Sequence, residues 1–186
     1  MSIAKVYSLR QFAYDFLDGA SKMAGNATVL PQALSDSVRR LVERDDLLKL
    51  GLPRRGNNVA ESYYLYFDGE LSIVLFKVPK DRPVQPHDHG IWESLMVYRG
   101  RIGHRVYERS DDGTQAGYAN LMVVETRVLN KGDVVIVAPP RDIHGFQALD
   151  DDTYGITASM GQYKAERLYY RPEEHSYETR RARTLR

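Results

Sequence analysis

The sequence predicts an all-β barrel or sandwich preceded by a helical segment. Helix-like periodicity covers the first fifty residues, and short β-like runs separated by turn signals follow it. Many short strands divided by turns are typical of barrels and sandwiches. We therefore assign residues 1–57 to a helical layer, 58–172 to a β-barrel and 173–186 to a solvated C-terminal tail, all within one domain.

Composition is that of an ordinary soluble globular chain. The 186 residues are 42% hydrophobic and 27% charged, with a formal net charge of +1 and no cysteine. We expect no nucleic-acid or membrane partner, since no strong net charge or apolar run of about 18 residues is present. Lys5, Arg10 and Asp15 interrupt any signal-peptide core, and no disulfide or thiolate ligand is available. The default expectation is a cytoplasmic protein.

Two helices are predicted in the N-terminal layer. Ser8 is placed to cap the first, and a second is expected from about Pro31 to Asp46 because proline suits a first helical turn. The apolar faces are formed by Leu9, Phe12, Phe16 and Leu17 in the first helix and by Leu34, Val38, Leu41 and Val42 in the second. Residues 51–58 read as a loop from their Gly, Pro and Asn content.

Strands are predicted from about residue 61 onward. An aromatic run at 63–67 and an apolar run at 71–78 flank an Asp68-Gly69 turn. Further strands are predicted at 92–98, 102–108, 121–129, 133–137 and 153–159, and another should carry His144. Trp92, at the start of one strand, is expected to belong to the core.

Four residues form a candidate metal site. His87 and His89 are two apart, so on a strand they point to the same side, and Glu93 and His144 follow later in the chain. Imidazole nitrogens with a carboxylate oxygen suit Fe(II), Mn, Ni, Cu or Zn. His104 and His175 are interpreted as core or surface histidines, although His104 shares a strand face with inward residues.

The spacing of these residues resembles the bipartite signature of the cupin superfamily. Its first half is His87-x-His89, three residues, Glu93, six residues and a glycine; its second is a Gly-Asp strand start, a proline turn and His144. The resemblance implies a double-stranded β-helix, or jelly-roll barrel, with the ligands pointing inward near one open end. Ligand positions left free there would accept water, a small-molecule substrate or O₂.

A closer resemblance is to the bacterial thiol dioxygenases of the cysteine dioxygenase and 3-mercaptopropionate dioxygenase type. It rests on the pattern Pro-His-Asp-His-x-x-Trp, on Gly-Asp-Val followed by Asp-Ile-His, and on Glu-Arg before an aromatic pair. It implies Fe(II) bound by His87, His89 and His144, and oxidation of a small thiol carboxylate to its sulfinate with O₂. Arg167 would hold the substrate carboxylate, with an ion pair to Glu166 or Glu173 as the alternative.

The sequence also departs from that family. The dioxygenases carry no carboxylate at the position of Glu93, which restores the general cupin pattern and favours a three-His-one-Glu site. Their Ser-His-Tyr trio should fall within 156–161, which holds no histidine or tyrosine, and Tyr163 is the nearest phenol. Tyr64 stands where the cysteine branch has its carboxylate-binding arginine.

Several alternatives therefore stay open. The chain is an Fe(II) thiol dioxygenase, another metal-cupin enzyme (an oxidase, a non-thiol dioxygenase or an isomerase), or a non-catalytic cupin that binds a small molecule. Zn, Ni, Mn and Cu remain alternatives to iron because the same ligands accept them. A homodimer formed through strand edges is compatible with the resemblance.

Overall fold

The computed structural model describes residues 7–21, 30–54, 61–161 and 163–181. Its helices are α1 (Leu9–Ser21), α2 (Leu30–Val42) and the single turn α3 (Leu47–Leu50). The Ser8 hydroxyl accepts a hydrogen bond from the Gln11 backbone N–H at 3.0 Å, as the capping prediction requires. Helix α2 ends at Val42, earlier than predicted, and Asp46 instead precedes α3, where its carbonyl accepts from the Lys49 N–H at 2.9 Å.

The strands of the described chain form two antiparallel six-stranded sheets. In spatial order, the first sheet contains β1 (Leu52–Pro53), β2 (Ser62–Phe67), β3 (Leu71–Lys77), β10 (Tyr154–Met160), β5 (Glu93–Arg99) and β8 (Val134–Val137). The second contains β12 (Ser176–Arg181), β11 (Glu166–Arg171), β4 (Val84–His87), β9 (Ile143–Ala148), β6 (Ile102–Arg109) and β7 (Leu121–Leu129).

The order of the strands defines a jelly roll. The eight strands from β3 to β10 divide evenly between the sheets, in the order β3-β10-β5-β8 in one and β4-β9-β6-β7 in the other, and successive strands change sheet except at the β6–β7 hairpin. This arrangement, in which early and late strands pair along the barrel, is the double-stranded β-helix. The predicted fold class is confirmed.

The apolar residues pack in layers around the first sheet. In β5, Leu95 and Val97 belong to the cluster between the two sheets, whereas Met96 and Tyr98 belong to the cluster beneath the helices. Successive residues of a strand point to opposite faces, so residues 95–98 form an uninterrupted apolar run because both faces are covered there. Trp92 stacks on Phe16 of α1 with ring centroids 5.6 Å apart, as its predicted core role requires.

The C-terminal segment differs most from the prediction. Residues 176–181 form β12, which pairs along its whole length with β11, where a solvated tail was expected. The arginines of this segment suggested a solvated end, but side chains on both faces of the strand pack: Tyr177 contacts Tyr170, and Arg180 lies 4.2 Å from the centre of the Tyr169 ring. Residues 182–186 and the predicted loop residues 55–58 lie outside the described chain.

Most predicted strands are present close to their expected positions. Strand β7 has the bounds that were predicted, and the other predicted strands shift by one or two residues at their ends. His87 ends β4, whereas His89 lies just beyond that strand instead of within it. No helix of the described ranges is long and apolar enough to cross a membrane.

Removal of the Phe16 ring should test how strongly the helical layer is attached to the barrel. Phe16 is fully buried between α1 and the first sheet. We expect Phe16→Ala to lower the free energy of unfolding in urea by about 3–5 kcal/mol, because it leaves a cavity. Tyr14, in the same helix, is 62% exposed, so Tyr14→Ala should change that free energy by no more than about 0.5 kcal/mol. Equal losses in the two variants would contradict the packing described.

Candidate metal centre

Strand pairing brings three histidines together at one end of the barrel. In the β4–β9 ladder His87 lies opposite His144, and His89 follows β4 on the loop that leads to β5. The ligand atoms of the three residues all lie within 4.8 Å of one another, and the Nε2 atoms of His89 and His144 are 2.8 Å apart. All three side chains are buried.

Their environment keeps these imidazoles neutral. Burial is the main cause that lowers the pKa of His87 to about 3 and moves the pKa of His89 and of His144 well below the ordinary value. The His87 Nδ1–H donates to the Gln85 carbonyl at 2.8 Å, which leaves the Nε2 lone pair free to bind. A neutral imidazole with one nitrogen held by a backbone carbonyl is the usual state of a metal ligand.

The donor set fits a transition-metal ion. When two nitrogens bind the same ion at about 2.1 Å with a right angle between the bonds, the nitrogens lie about 3.0 Å apart. The Nε2 atoms of His89 and His144 are 2.8 Å apart, which is close to this distance. One of these two nitrogens carries the proton of the short contact, and an ion bound to both would take the place of that proton. Nitrogen ligands of this kind accept iron, zinc, nickel or copper, so the donor set alone does not select the metal.

Glu93 lies beside the histidines. It is the first residue of β5 and is buried, with Oε1 3.8 Å from His144 Nε2 and Oε2 3.7 Å from His89 Nδ1. Burial raises its pKa, while the hydrogen bond from Tyr163 acts in the opposite direction. The carboxylate is therefore available as a fourth ligand.

Tyr163 reaches the site from beyond the segment in which the sequence suggested a phenol should lie. Its hydroxyl donates to the Glu93 carboxylate and lies 2.9 Å from the Ser159 hydroxyl. Ser159 is paired with Glu93 between β10 and β5, so one phenol contacts both. Gly161, directly after β10, has a positive φ of 88°, a backbone conformation that glycine adopts readily. The Tyr163 side chain, two residues later, lies at the site. Burial and the Glu93 charge raise the Tyr163 pKa well above its ordinary value, so the phenol keeps its proton.

Arg167 places a cation next to His89. From β11, its Nε–H donates to the Asp88 carbonyl at 2.8 Å, and its Nη2 lies 3.1 Å from His89 Nδ1. The guanidinium carbon also lies 5.1 Å from the centre of the Tyr163 ring. The alternative ion pairs do not form: Glu166 pairs with Arg181, and within the described ranges no carboxylate forms an ion pair with Arg167.

Two buried aspartates that the sequence did not single out fix the loop around His89. The Asp142 Oδ2 atom accepts from the backbone N–H of His89 at 3.0 Å and of Gly90 at 2.6 Å. Asp88 accepts from the Leu168 N–H at 2.8 Å and from Lys164 Nζ at 2.9 Å. Asp88 lies between the two histidines in the sequence, so in an extended segment its side chain points to the opposite side from theirs. This position was the feature of the sequence that could have indicated a structural role for Asp88.

His104 contacts His144 from the neighbouring strand β6. It is buried, and its Nε2 lies 3.0 Å from His144 Nδ1. Burial lowers its pKa to about 4, so His104 is neutral and can accept the His144 Nδ1–H. That hydrogen bond leaves His144 Nε2 free to face the other two histidines. The His104 Nδ1 atom is buried without a hydrogen-bond partner among the described residues.

Comparison with known proteins gives only distant structural similarity. No family model matches the sequence, and no curated protein matches it. A cupin superfamily protein from Desulfitobacterium hafniense DCB-2 is 16% identical, with a TM-score of 0.39 over 59% of this chain and 84% of that one. KdgF from Halomonas sp. is 19% identical, with a TM-score of 0.42 over 58% of this chain and 85% of that one.

Enzymes are also among the similar structures. The DMSP lyase DddQ from Ruegeria pomeroyi DSS-3 is 17% identical, with a TM-score of 0.44 over 65% of this chain and 58% of that one. Hydroquinone 1,2-dioxygenase from Sphingomonas sp. TTNP3 is 11% identical, with a TM-score of 0.45 over 57% of this chain and 69% of that one. The strand order and the ligand geometry described above define the fold and site of this chain independently of these partial superpositions.

Loss of the His104 imidazole should weaken metal binding. We expect His104→Leu to lower the affinity for Fe(II) or Zn(II), measured by competition with a chelator, by about 10- to 100-fold, because nothing then fixes the tautomer of His144. His104→Gln keeps an acceptor and should recover part of the affinity. His175, which is exposed, supplies the control: His175→Ala should bind as the unchanged protein does. Unaltered affinity in His104→Leu would show that the contact does not support the site.

Proposed function

We propose that this chain is a mononuclear metal enzyme that uses Fe(II) and O₂ to oxidise a small carboxylate-bearing thiol. One observation carries the proposal: three buried neutral imidazoles face one another, and a guanidinium without an acidic ion-pair partner among the described residues lies against one of them. When bound, the ion would supply the positions for the substrate sulfur and O₂ and the redox chemistry that side chains lack. The overall reaction is RSH + O₂ → RSO₂H, with both oxygen atoms transferred to sulfur.

Arg167 is suited to orient the substrate carboxylate. An arginine only donates, so its contact with His89 Nδ1 requires a lone pair on that nitrogen. If His89 binds an ion through Nε2, Nδ1 carries a proton and this contact is lost. The Nη2 arm is then available to a carboxylate, while the Nε–H stays fixed on the Asp88 carbonyl.

Tyr163 and Ser159 support the proposal because they fix the position of the Glu93 carboxylate. The phenol donates to one carboxylate oxygen and keeps its proton because its pKa lies far above neutrality. This hydrogen bond occupies Glu93 Oε2, and Oε1 is the oxygen 3.8 Å from His144 Nε2. The same half-buried side chain also limits water at the site, since its ring packs against His89 with centroids 5.5 Å apart.

Glu93 also favours a second candidate function. If its carboxylate binds the ion, a six-coordinate metal keeps two open positions where three would remain with histidines alone. The added negative charge disfavours a thiolate ligand. The second candidate is therefore a metal enzyme with a three-His-one-Glu site that acts on a small carboxylate without a thiol.

Oxygen consumption gives the first test of the thiol reaction. Protein loaded anaerobically with Fe(II) should consume O₂ with cysteine or 3-mercaptopropionate and form one sulfinate per O₂. His144→Ala should abolish both, because it removes one of the three nitrogen donors. Full metal occupancy without O₂ uptake across a panel of small thiols would contradict the thiol reaction and favour the second candidate.

Replacement of Arg167 should weaken substrate binding. A charged hydrogen bond contributes about 1.5–3 kcal/mol, so Arg167→Met should raise KM by about 10- to 100-fold while metal content stays unchanged. Arg167→Lys should recover only part of this loss, because lysine lacks the planar fork. Arg171, in the same strand, pairs with Glu178, and Arg171→Met is the matched control. A KM that does not change in Arg167→Met would rule out its role as the carboxylate anchor.

Glu93→Gln distinguishes the two candidate functions. The amide keeps the shape of the side chain and can still accept from Tyr163, but it removes the charge. If the histidines alone bind the ion, metal affinity and thiol-dependent O₂ uptake should persist. If Glu93 is a ligand, affinity measured by chelator competition should fall by about tenfold or more. The second result, combined with no thiol turnover in the unchanged protein, selects the three-His-one-Glu enzyme.

A further inference from the structure

Strand β7 exposes a row of apolar side chains at a free sheet edge. It is the last strand of the second sheet, and in the described chain it pairs only with β6. The exposed side chains are Met122, Val123, Val124 and Val128, each at least 44% accessible. An apolar edge strand with unpaired backbone groups is a template for pairing with another strand, and soluble proteins ordinarily protect such edges.

The charges of β7 indicate what covers this edge. Glu125 and Arg127 are the only charged residues of the strand, and they form an ion pair at 2.6 Å with both side chains substantially exposed. Consider two copies of β7 that pair antiparallel, with Thr126 of one copy facing Thr126 of the other across a two-fold axis. A residue one position before Thr126 then faces the residue one position after it in the other copy. Glu125 of each copy then faces Arg127 of the other, and Val124 faces Val128.

Neighbouring registers are less favourable. If the axis passes through Glu125, the two glutamates face each other, and if it passes through Arg127, the two arginines do. Like charges placed directly opposite destabilise a strand pair. Val124 has no partner in β6 because β7 bulges there, so regular pairing about Thr126 covers residues 125–127, with Val124 and Val128 flanking it.

We propose that β7 is an isologous interface through which two copies of this chain join their second sheets. The occupant is a second copy because the strand is complementary to itself, in charge and in apolar contacts, in a single register. This proposal does not rest on the proposed function, since none of its residues is a candidate metal ligand. Arg127 lies opposite His104 in the β6–β7 ladder, so the edge and the metal centre are neighbours in the second sheet.

Charge reversal tests both the interface and its register. Sedimentation equilibrium of the full chain should show a dimer. Glu125→Arg places two arginine pairs across the interface, and Arg127→Glu places two glutamate pairs there, so each variant should raise the dimer Kd by about 10- to 100-fold. Arg101→Glu, which alters an exposed ion pair with Asp150 outside β7, is the control and should leave the Kd unchanged.

Mixing the two variants provides the decisive measurement. One copy then carries arginine at both positions and the other glutamate at both, so equal amounts of Glu125→Arg and Arg127→Glu should form a mixed dimer as tight as the unchanged one. Circular dichroism of each variant should show the native fold. A monomeric unchanged protein, a dimer that ignores both reversals, or a mixture that stays monomeric would each overturn the proposal.

Discussion

The antiparallel pairing of β4 with both β9 and β11 is the constraint on which the site depends. One partner places His144 opposite His87, and the other places Tyr169 opposite it, stacked on the His87 ring with centroids 5.3 Å apart. The Cα atoms of paired residues in neighbouring strands lie about 5 Å apart, whichever side chains they carry. The backbone pairing therefore holds the imidazoles of His87 and His144 close together. The cost of that arrangement is reduced because burial keeps each ring neutral.

The charged groups around the cluster come from two sides. Glu93 lies on the β5 side, with its oxygens 3.7 and 3.8 Å from histidine nitrogens; burial raises its pKa, and a phenol that stays protonated fixes its position. Arg167, on the segment that follows β10, lies closer still, with Nη2 3.1 Å from His89 Nδ1, and Asp88 ties this segment to the histidine loop through Lys164. An anion entering from this side would meet positive charge before it reached the imidazoles.

The sequence predicted the features that depend on local pattern. Alternation located the barrel strands, and the spacing of His87, His89, Glu93 and His144 located the cluster. Contacts between distant segments were not predictable: His104 reads as a barrel-lining residue until β6 is placed beside β9. Tyr163 lies outside the predicted segment because residue spacing alone does not reveal the turn at Gly161, and the arginines of β12 concealed the pattern of that strand.

The stacking of Trp92 on Phe16 gives the N-terminal helices a role beyond covering a sheet. Trp92 immediately precedes Glu93, so the short connection that carries His89 rests on α1 at the point where it enters β5. The barrel therefore depends on this particular helical layer. With a different set of helices it would retain every strand, but the connection would lose the contact that supports its conformation. Differences among related chains in the first helix would then be expressed at the far side of the sheet, as differences in how the histidines and the carboxylate are held.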